Sequence, residues 1–311
     1  MGEFGVESLQ AATQLSGLRI PAHVIEQLVA AIDAGKHVIL TGPPGTGKTS
    51  LSFLAAEVGQ ASLLCTGYLP TTATTEWTTF ETIGGFQPTG EGLIFRAGMF
   101  VEAIESGRWL VIDELNRANF DRAFGQLFTV LSGQPVVLPF RRAGRTQNVS
   151  LVPFGVSTPP DTDPIRVPAS WRIIATMNMF DKNLLFEMSF ALMRRFTFIE
   201  VPSPDETAFR ELLEGPGEEV ADLLPLRALK DLGPAIYLDA ASYAAQRARS
   251  VPNRSRLLYE IFYGYFLPQF EGIDETSAAR LQDVLRGILD PADLLEARRT
   301  IEDVLGVDLP A

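Results

Sequence analysis

Between Pro21 and Gly35 the apolar residues Val24, Ile25, Leu28, Val29 and Ile32 recur every three or four positions. That spacing puts them on one face of a helix, and a proline near its start with a glycine just past its end fits the usual terminal asymmetry. Short apolar runs then recur at 37–40, 62–66, 109–112, 172–176 and 196–201. Each is the length of a buried strand, and helical stretches separate most of them. The alternation predicts an α/β fold with a mostly parallel five-stranded sheet covered on both faces. Ligands of such sheets bind at the carboxyl ends of the strands. Two segments break the alternation. Residues 83–98 are glycine-rich and predict a hairpin; residues 136–169 pass from Val136-Val137-Leu138 through Arg141, Arg142 and Arg145 into a proline-rich run, predicting a second hairpin with a long basic tip. Past Pro202 and Pro204 helical patterns follow at 205–213, 218–230, 237–249, 254–267, 276–289 and 292–304, with no strand among them. The expected organisation is a tail over 1–17, an α/β domain over 18–202 and an all-helical domain over 203–311.

The first strand candidate runs into Gly42-Pro43-Pro44-Gly45-Thr46-Gly47-Lys48-Thr49, followed by Ser50 and a helical stretch. This is a complete phosphate-loop pattern in a strand–loop–helix context. Its glycines let backbone N–H groups turn inward onto phosphate oxygens, and the helix start adds donors and partial positive charge. Residues 42–50 are therefore expected to bind the nucleotide, with Lys48 reaching the outer phosphates and Thr49 offering a hydroxyl to Mg²⁺. Trp109-Leu110-Val111-Ile112 ends in Asp113 and Glu114. A carboxylate at a strand's end supplies the second Mg²⁺ anchor, expected of Asp113, and Glu114 is then placed to activate a water as general base. Ile173-Ile174-Ala175-Thr176-Met177 ends in Asn178, which can hold the attacking water or a phosphate oxygen. Arg194 and Arg195 precede the last strand candidate and can stabilise charge on a neighbouring subunit's γ-phosphate.

Charge changes the picture in one respect. The chain's 311 residues carry a net charge of −12, and 20 of its 38 acidic but only 11 of its 26 basic residues lie in 203–311. The helical part alone is thus −9 and the rest −3, so a global attraction for DNA is excluded and any DNA contact is expected to be indirect. The lone Cys65 excludes an intrachain disulfide and suggests a reducing compartment, and two histidines leave no His-rich metal site. No apolar run reaches a membrane span, so a cytoplasmic location is expected. Met1-Gly2-Glu3-Phe4 matches an expression-vector remnant.

Phosphate loop, Asp-Glu strand, Asn strand and paired arginines, in this order, resemble the AAA+ ATPase family, and the helical part resembles its lid domain. Asp-Glu-Leu-Asn-Arg-Ala (113–118), Ala-Thr-Met-Asn (175–178) and Ala-Leu-Met-Arg-Arg-Phe (191–196) look most like the McrB and MoxR branches, and the two hairpins are similar to that clade's insertions. The resemblance implies ATP, or GTP, held with Mg²⁺ between subunits of a homo-oligomeric ring, usually a hexamer. It implies roles for Lys48 and Thr49 on phosphate and Mg²⁺, Asp113 and Glu114 on Mg²⁺ and water, Asn178 as sensor, and Arg194 before Arg195 as finger. Asn178-Met179-Phe180-Asp181 departs from the McrB pattern associated with GTP. Ala235, after Gly233-Pro234, stands where relatives carry a lid arginine, leaving Arg254 or Arg256 to substitute. The implied role is a motor driving a partner nuclease in DNA restriction or phage defence. The alternatives are a MoxR-like chaperone acting on a von Willebrand A-type protein and a nucleotide-gated scaffold.

Overall fold

The structure is a computed structural model that describes residues 3–90, 92–178, 193–215, 217–247, 249–250 and 253–309. The chain divides into two compact units, one of residues 1–42 with 47–201 and one of 43–46 with 202–311.

In the first unit, strands β1 (His37–Gly42), β2 (Tyr68–Thr72), β5 (Trp109–Asp113), β9 (Ile173–Asn178) and β10 (Phe196–Glu200) form one sheet in the order β10–β1–β9–β5–β2. Every pairing in it is parallel. Each inner strand is apolar on both sides, because successive side chains alternate between two covered faces. Ile39, Leu110, Ile112, Ile173 and Ala175 point into one core, and Val38, Leu40, Trp109, Val111 and Ile174 into the other. The expected α/β fold with a parallel five-stranded sheet is what forms.

Helices α1 (Val6–Leu15), α2 (Ala22–Asp33) and α3 (Lys48–Ala61) contribute to the second of these cores. The expected tail over 1–17 therefore gives way to a folded helix. Leu9 is fully buried, and the buried Phe4 meets Trp109 edge-on at 6.0 Å. Trp109 also donates its indole N–H to the Ser170 carbonyl at 2.8 Å. It lies so close to α3 that a Cβ on Gly59 would stand 2.9 Å from its ring. Trp109→Ala should lower stability by about 3–5 kcal/mol, since it empties a site walled by the sheet, Phe4 and α3; the shift of the urea midpoint at unchanged slope measures it.

The run at 62–66 is not a strand. It is the turn that leaves α3, where Leu63 adopts φ +60° and Leu64 N–H returns to the Gly59 carbonyl at 2.9 Å. The strand comes later, at 68–72, on the sheet's edge, where Pro70 is tolerated. Residues 83–98 form the expected hairpin, β3 (Gly84–Thr89) with β4 (Gly92–Ala97). Residues 136–169 do more than predicted: β6 (Val136–Arg141) pairs antiparallel with β7 (Asn148–Val152), and β8 (Thr162–Arg166) returns parallel to β7. The tip is short and its charges are partly engaged. Arg142 pairs with Glu105 and, at 3.6 Å, with Asp163, while Arg141 donates to Asn148 Oδ1 at 3.0 Å.

The second unit is helical over 206–212, 234–247, 254–261, 275–286 and 291–305 around its own core. Two predicted helices differ in kind. Residues 220–228 wind as a tighter 3₁₀ helix around Pro225, and the helix from Arg254 widens into a π turn at Phe262–Phe266. Residues 43–46 group with this unit, and Ala235 N–H donates to the Gly45 carbonyl at 3.2 Å.

Candidate functional site

The carboxyl edge of the sheet gathers the end of β1, the start of α3 and the ends of β5 and β9. Gly42 closes β1 at φ +143°, and a Cβ there would stand 2.2 Å from the Val201 carbonyl oxygen, so only glycine fits. Gly47, at φ +84°, opens α3 without any side-chain cap. A glycine at that position brings no side chain over the start of a fourteen-residue helix, the end at which helices favour anions. Lys48 is buried and donates to the Gly42 carbonyl at 2.9 Å. Thr46 is buried too, donating to the Pro43 carbonyl at 3.1 Å, whereas Pro44, Gly45 and Ser50 are exposed.

Thr49 Oγ1 donates to Asp113 Oδ1 at 2.7 Å, which ties the start of α3 to the end of β5. Thr176 on β9 donates to the same carboxylate oxygen at 2.6 Å and accepts the Glu114 backbone N–H at 3.0 Å. Glu114 itself takes the left-handed conformation, φ +51° and ψ +47°, sparse for a residue with a side chain. Its carboxylate meets Arg117 Nε at 2.6 Å. Asn178 ends β9 in register with Gly42. The structure thus brings Lys48, Thr49, Asp113, Glu114 and Asn178 to one edge. Thr176 and Arg117 carry no role in the sequence reading, yet both were within reach of it. Thr176 shares a strand face with Asn178 two residues on, and Arg117 follows Glu114 at the three-residue spacing that lets side chains meet.

The paired arginines are not part of this cluster. Arg195 passes its carbonyl to the His37 N–H at the amino end of β1, at 3.2 Å, and Phe196 pairs with His37. They sit a full strand, about 17–20 Å, from the loop. Arg194 is exposed; Arg195 is half-buried with Nη2 at 3.5 Å from the Ser132 carbonyl. The candidate lid arginines are engaged locally, Arg254 with Asp222 at 2.6 Å and Arg256 with Glu296 at 2.7 Å. Residues 179–181 and 191–192, which carry part of the family comparison, lie outside the described residues.

Thr49 and Asp113 present two hard oxygens in hydrogen-bond contact, a donor set that suits Mg²⁺. Among the described residues there is no cluster of three or more His, Cys, Asp or Glu that could hold a metal. Mg²⁺ commonly takes one or two carboxylates and completes its shell with phosphates and water, so the pair fits the ion only together with a nucleotide. Electrostatics fit as well. Burial pushes the Lys48 ammonium down to about 8, against the upward pull of Asp113 and then Glu114. An arriving polyphosphate raises it again. Because the free-state value is the lower one, affinity should be full below pH 8 and decline as pH rises through it. At pH 8 binding should take up about half a proton, which calorimetry in buffers of different ionisation enthalpy measures; no uptake would sink this reading.

The family model of the AAA domain (dynein-related subfamily) matches residues 37–196. The chain is 31% identical over 220 residues to the Type IV methyl-directed restriction enzyme EcoKMcrB subunit of Escherichia coli (strain K12), covering 67% of this chain and 44% of that protein. It is 26% identical over 191 residues to an uncharacterized protein of Staphylococcus aureus (strain bovine RF122 / ET3-1), covering 61% of this chain and 65% of that one. The chain therefore spans less than two thirds of the length of either relative. Among solved structures, NtrX from Brucella abortus in complex with ATP aligns with a TM-score of 0.44 at 15% identity, over 94% of this chain and 72% of that one. Among the described residues no helix is long and apolar enough to cross a membrane.

Proposed function

The chain belongs to the AAA domain family, in its dynein-related subfamily and on an McrB-like branch, and on that premise we propose that it is a motor subunit hydrolysing ATP between neighbouring copies in a ring. The observation that carries this reading is the contact of Thr49 with Asp113, which joins the phosphate-loop helix to the acidic strand end beside Lys48 and Glu114.

Each residue has a task that follows from its place. The N–H groups around Gly47 and the Lys48 ammonium receive the outer phosphates. Thr49 and Asp113 hold Mg²⁺, which when bound neutralises charge on the phosphate oxygens. Thr176 fixes both the Asp113 carboxylate and the Glu114 backbone. Glu114 takes the proton of the attacking water, and Asn178, one strand over, orients that water or a phosphate oxygen. Arg194 acts on the neighbouring copy's nucleotide.

We extend the proposal to biology through the relative of known role. A subunit of a methyl-directed restriction enzyme works with other components, so we propose that this chain, as a hexameric ring, drives a nuclease-bearing partner in restriction or phage defence and leaves the grip on DNA to others. The acidic balance of the chain supports that division of labour. The test begins with the purified chain. Phosphate release should exceed background with ATP and vanish in Lys48→Ala, which should also lose binding of a fluorescent ATP analogue. Mass photometry with a slowly hydrolysed analogue should show six copies. Release with GTP alone would overturn the choice of nucleotide, and wild-type turnover in Lys48→Ala would overturn the site.

A further inference from the structure

The helical unit carries a groove of about 670 Å³ lined by Tyr243 and by residues within 256–265 and 296–304. That volume is in the range of ligand sites. Nothing in the hydrolytic reading uses it. Four tyrosines line it: Tyr243, Tyr259, Tyr263 and Tyr265. Tyr259 and Tyr263 stack at 6.4 Å, and Tyr243 and Tyr265 lie tilted at 5.7 Å. The π turn at Phe262–Phe266 shapes the wall. It sends Phe262 and Phe266 into the core and leaves Tyr263 and Gly264 exposed. A Cβ on Gly264 would meet nothing within 4 Å, so the groove is open beside it.

The charges around the groove do not balance. Arg247 pairs with Glu260 at 2.9 Å, and Arg256 with Glu296, Asp293 and, at 3.8 Å, Glu260. Asp303 also lines the groove and forms no ion pair among the described residues. Among the lining residues one guanidinium, Arg256, thus stands against three carboxylates, Glu260, Glu296 and Asp303, in a unit whose sequence is itself strongly acidic. The walls already display the chemistry they select. Arg256 lies over the Tyr259 ring at 4.7 Å while its edge is held by carboxylates. Aromatic faces attract a planar cation, and carboxylates at its rim give it bidentate acceptors.

We propose that this groove binds an arginine-bearing segment of a partner protein, with tyrosine faces against the guanidinium and Asp303 among its acceptors. A guanidinium suits the site better than an ammonium, because it stacks as well as pairs. The groove is then a docking point separate from the hydrolytic site, and it would hold a partner by charge and stacking.

The probe is a fluorescein-labelled peptide, Ac-Gly-Ala-Arg-Ala-Arg-Gly-amide, titrated into the full chain by anisotropy at low and moderate salt. Citrulline and lysine counterparts serve as comparisons. The arginine peptide should bind, its affinity should fall with salt, and the citrulline peptide, isosteric but neutral, should bind at least about tenfold more weakly. Tyr263→Ala and Asp303→Asn should each weaken binding by about threefold or more. Gly264→Gln, which projects a side chain into that open space without backbone strain, should do the same. All three should keep basal ATP hydrolysis, which reports that they fold. The double variant Glu211→Gln/Glu214→Gln, removing exposed acids elsewhere in the unit, should leave affinity unchanged. Equal binding of arginine and citrulline peptides would overturn the proposal. So would equal binding of arginine and lysine peptides, unchanged affinity in Tyr263→Ala and Gly264→Gln, or an equal loss in the Glu211/Glu214 variant.

Discussion

Glu114→Gln should cut steady-state ATP hydrolysis by about two orders of magnitude or more and leave nucleotide affinity within about threefold. The expectation rests on how Glu114 is held. Its backbone is fixed by Thr176, its φ is positive, and its carboxylate lies one residue beyond the Asp113 that Thr49 contacts. Glutamine keeps the size and the αL turn but cannot take a proton from water. The loss therefore falls on turnover, because the residue is adjacent to the phosphate loop and outside it. Arg117 adds a second demand. Its Nε is 2.6 Å from Glu114 Oε2, so the carboxylate is shared between a guanidinium and whatever water it activates. Single-turnover phosphate release and binding of a fluorescent ATP analogue separate the two effects. Glu114→Gln hydrolysing like wild type would remove it as the base, whereas lost binding with proportionate turnover would make its role structural.

The sheet was legible because burial on both faces writes continuous apolar runs into the chain. Val38 to Leu40 and Trp109 to Ile112 read as strands for that reason, and the polar residues that end such runs read as chemistry. The turn at 62–66 misled because an apolar run of that length also marks a helix end folding back onto the core. Leu63 at φ +60° is the sort of conformation a sequence does not announce. The strand that was missed, at 68–72, contains a proline and lies on an edge, so it is half-buried and only weakly patterned. At the site, the residues with motif-bound roles were legible from spacing. Thr176 could be read only as far as its strand face, shared with Asn178; its bond to Asp113 forms across two paired strands and is not written in the spacing. The basic tip is similar: Arg142 reads as a free charge in sequence, and its acidic partners Glu105 and Asp163 come from distant segments.

Arg194→Ala should lose at least about a hundredfold in hydrolysis with nucleotide binding kept, and Arg195→Ala should lose less. Both residues stand at the amino edge of the sheet while the phosphate loop stands at the carboxyl edge. A side chain of about 7 Å does not span that strand length, so neither can act on its own copy's nucleotide across the sheet. The two also differ in freedom. Arg194 is exposed, and Arg195 is half-buried with its guanidinium toward the Ser132 carbonyl and its own carbonyl bonded to His37. A group that must reach a neighbour needs the first situation; the second belongs to a residue that fixes the start of β10. Mixing gives the decisive measurement. Glu114→Gln and Arg194→Ala should each be nearly inactive alone. In an equal mixture about a quarter of the contacts between copies would join an intact Glu114 to an intact Arg194, so activity should return toward about a quarter of wild type. Activity per chain should also fall on dilution as the contacts between copies dissociate. A mixture no more active than its parts, with exchange of subunits shown by fluorescence transfer, would leave Arg194 without a role in the neighbouring site.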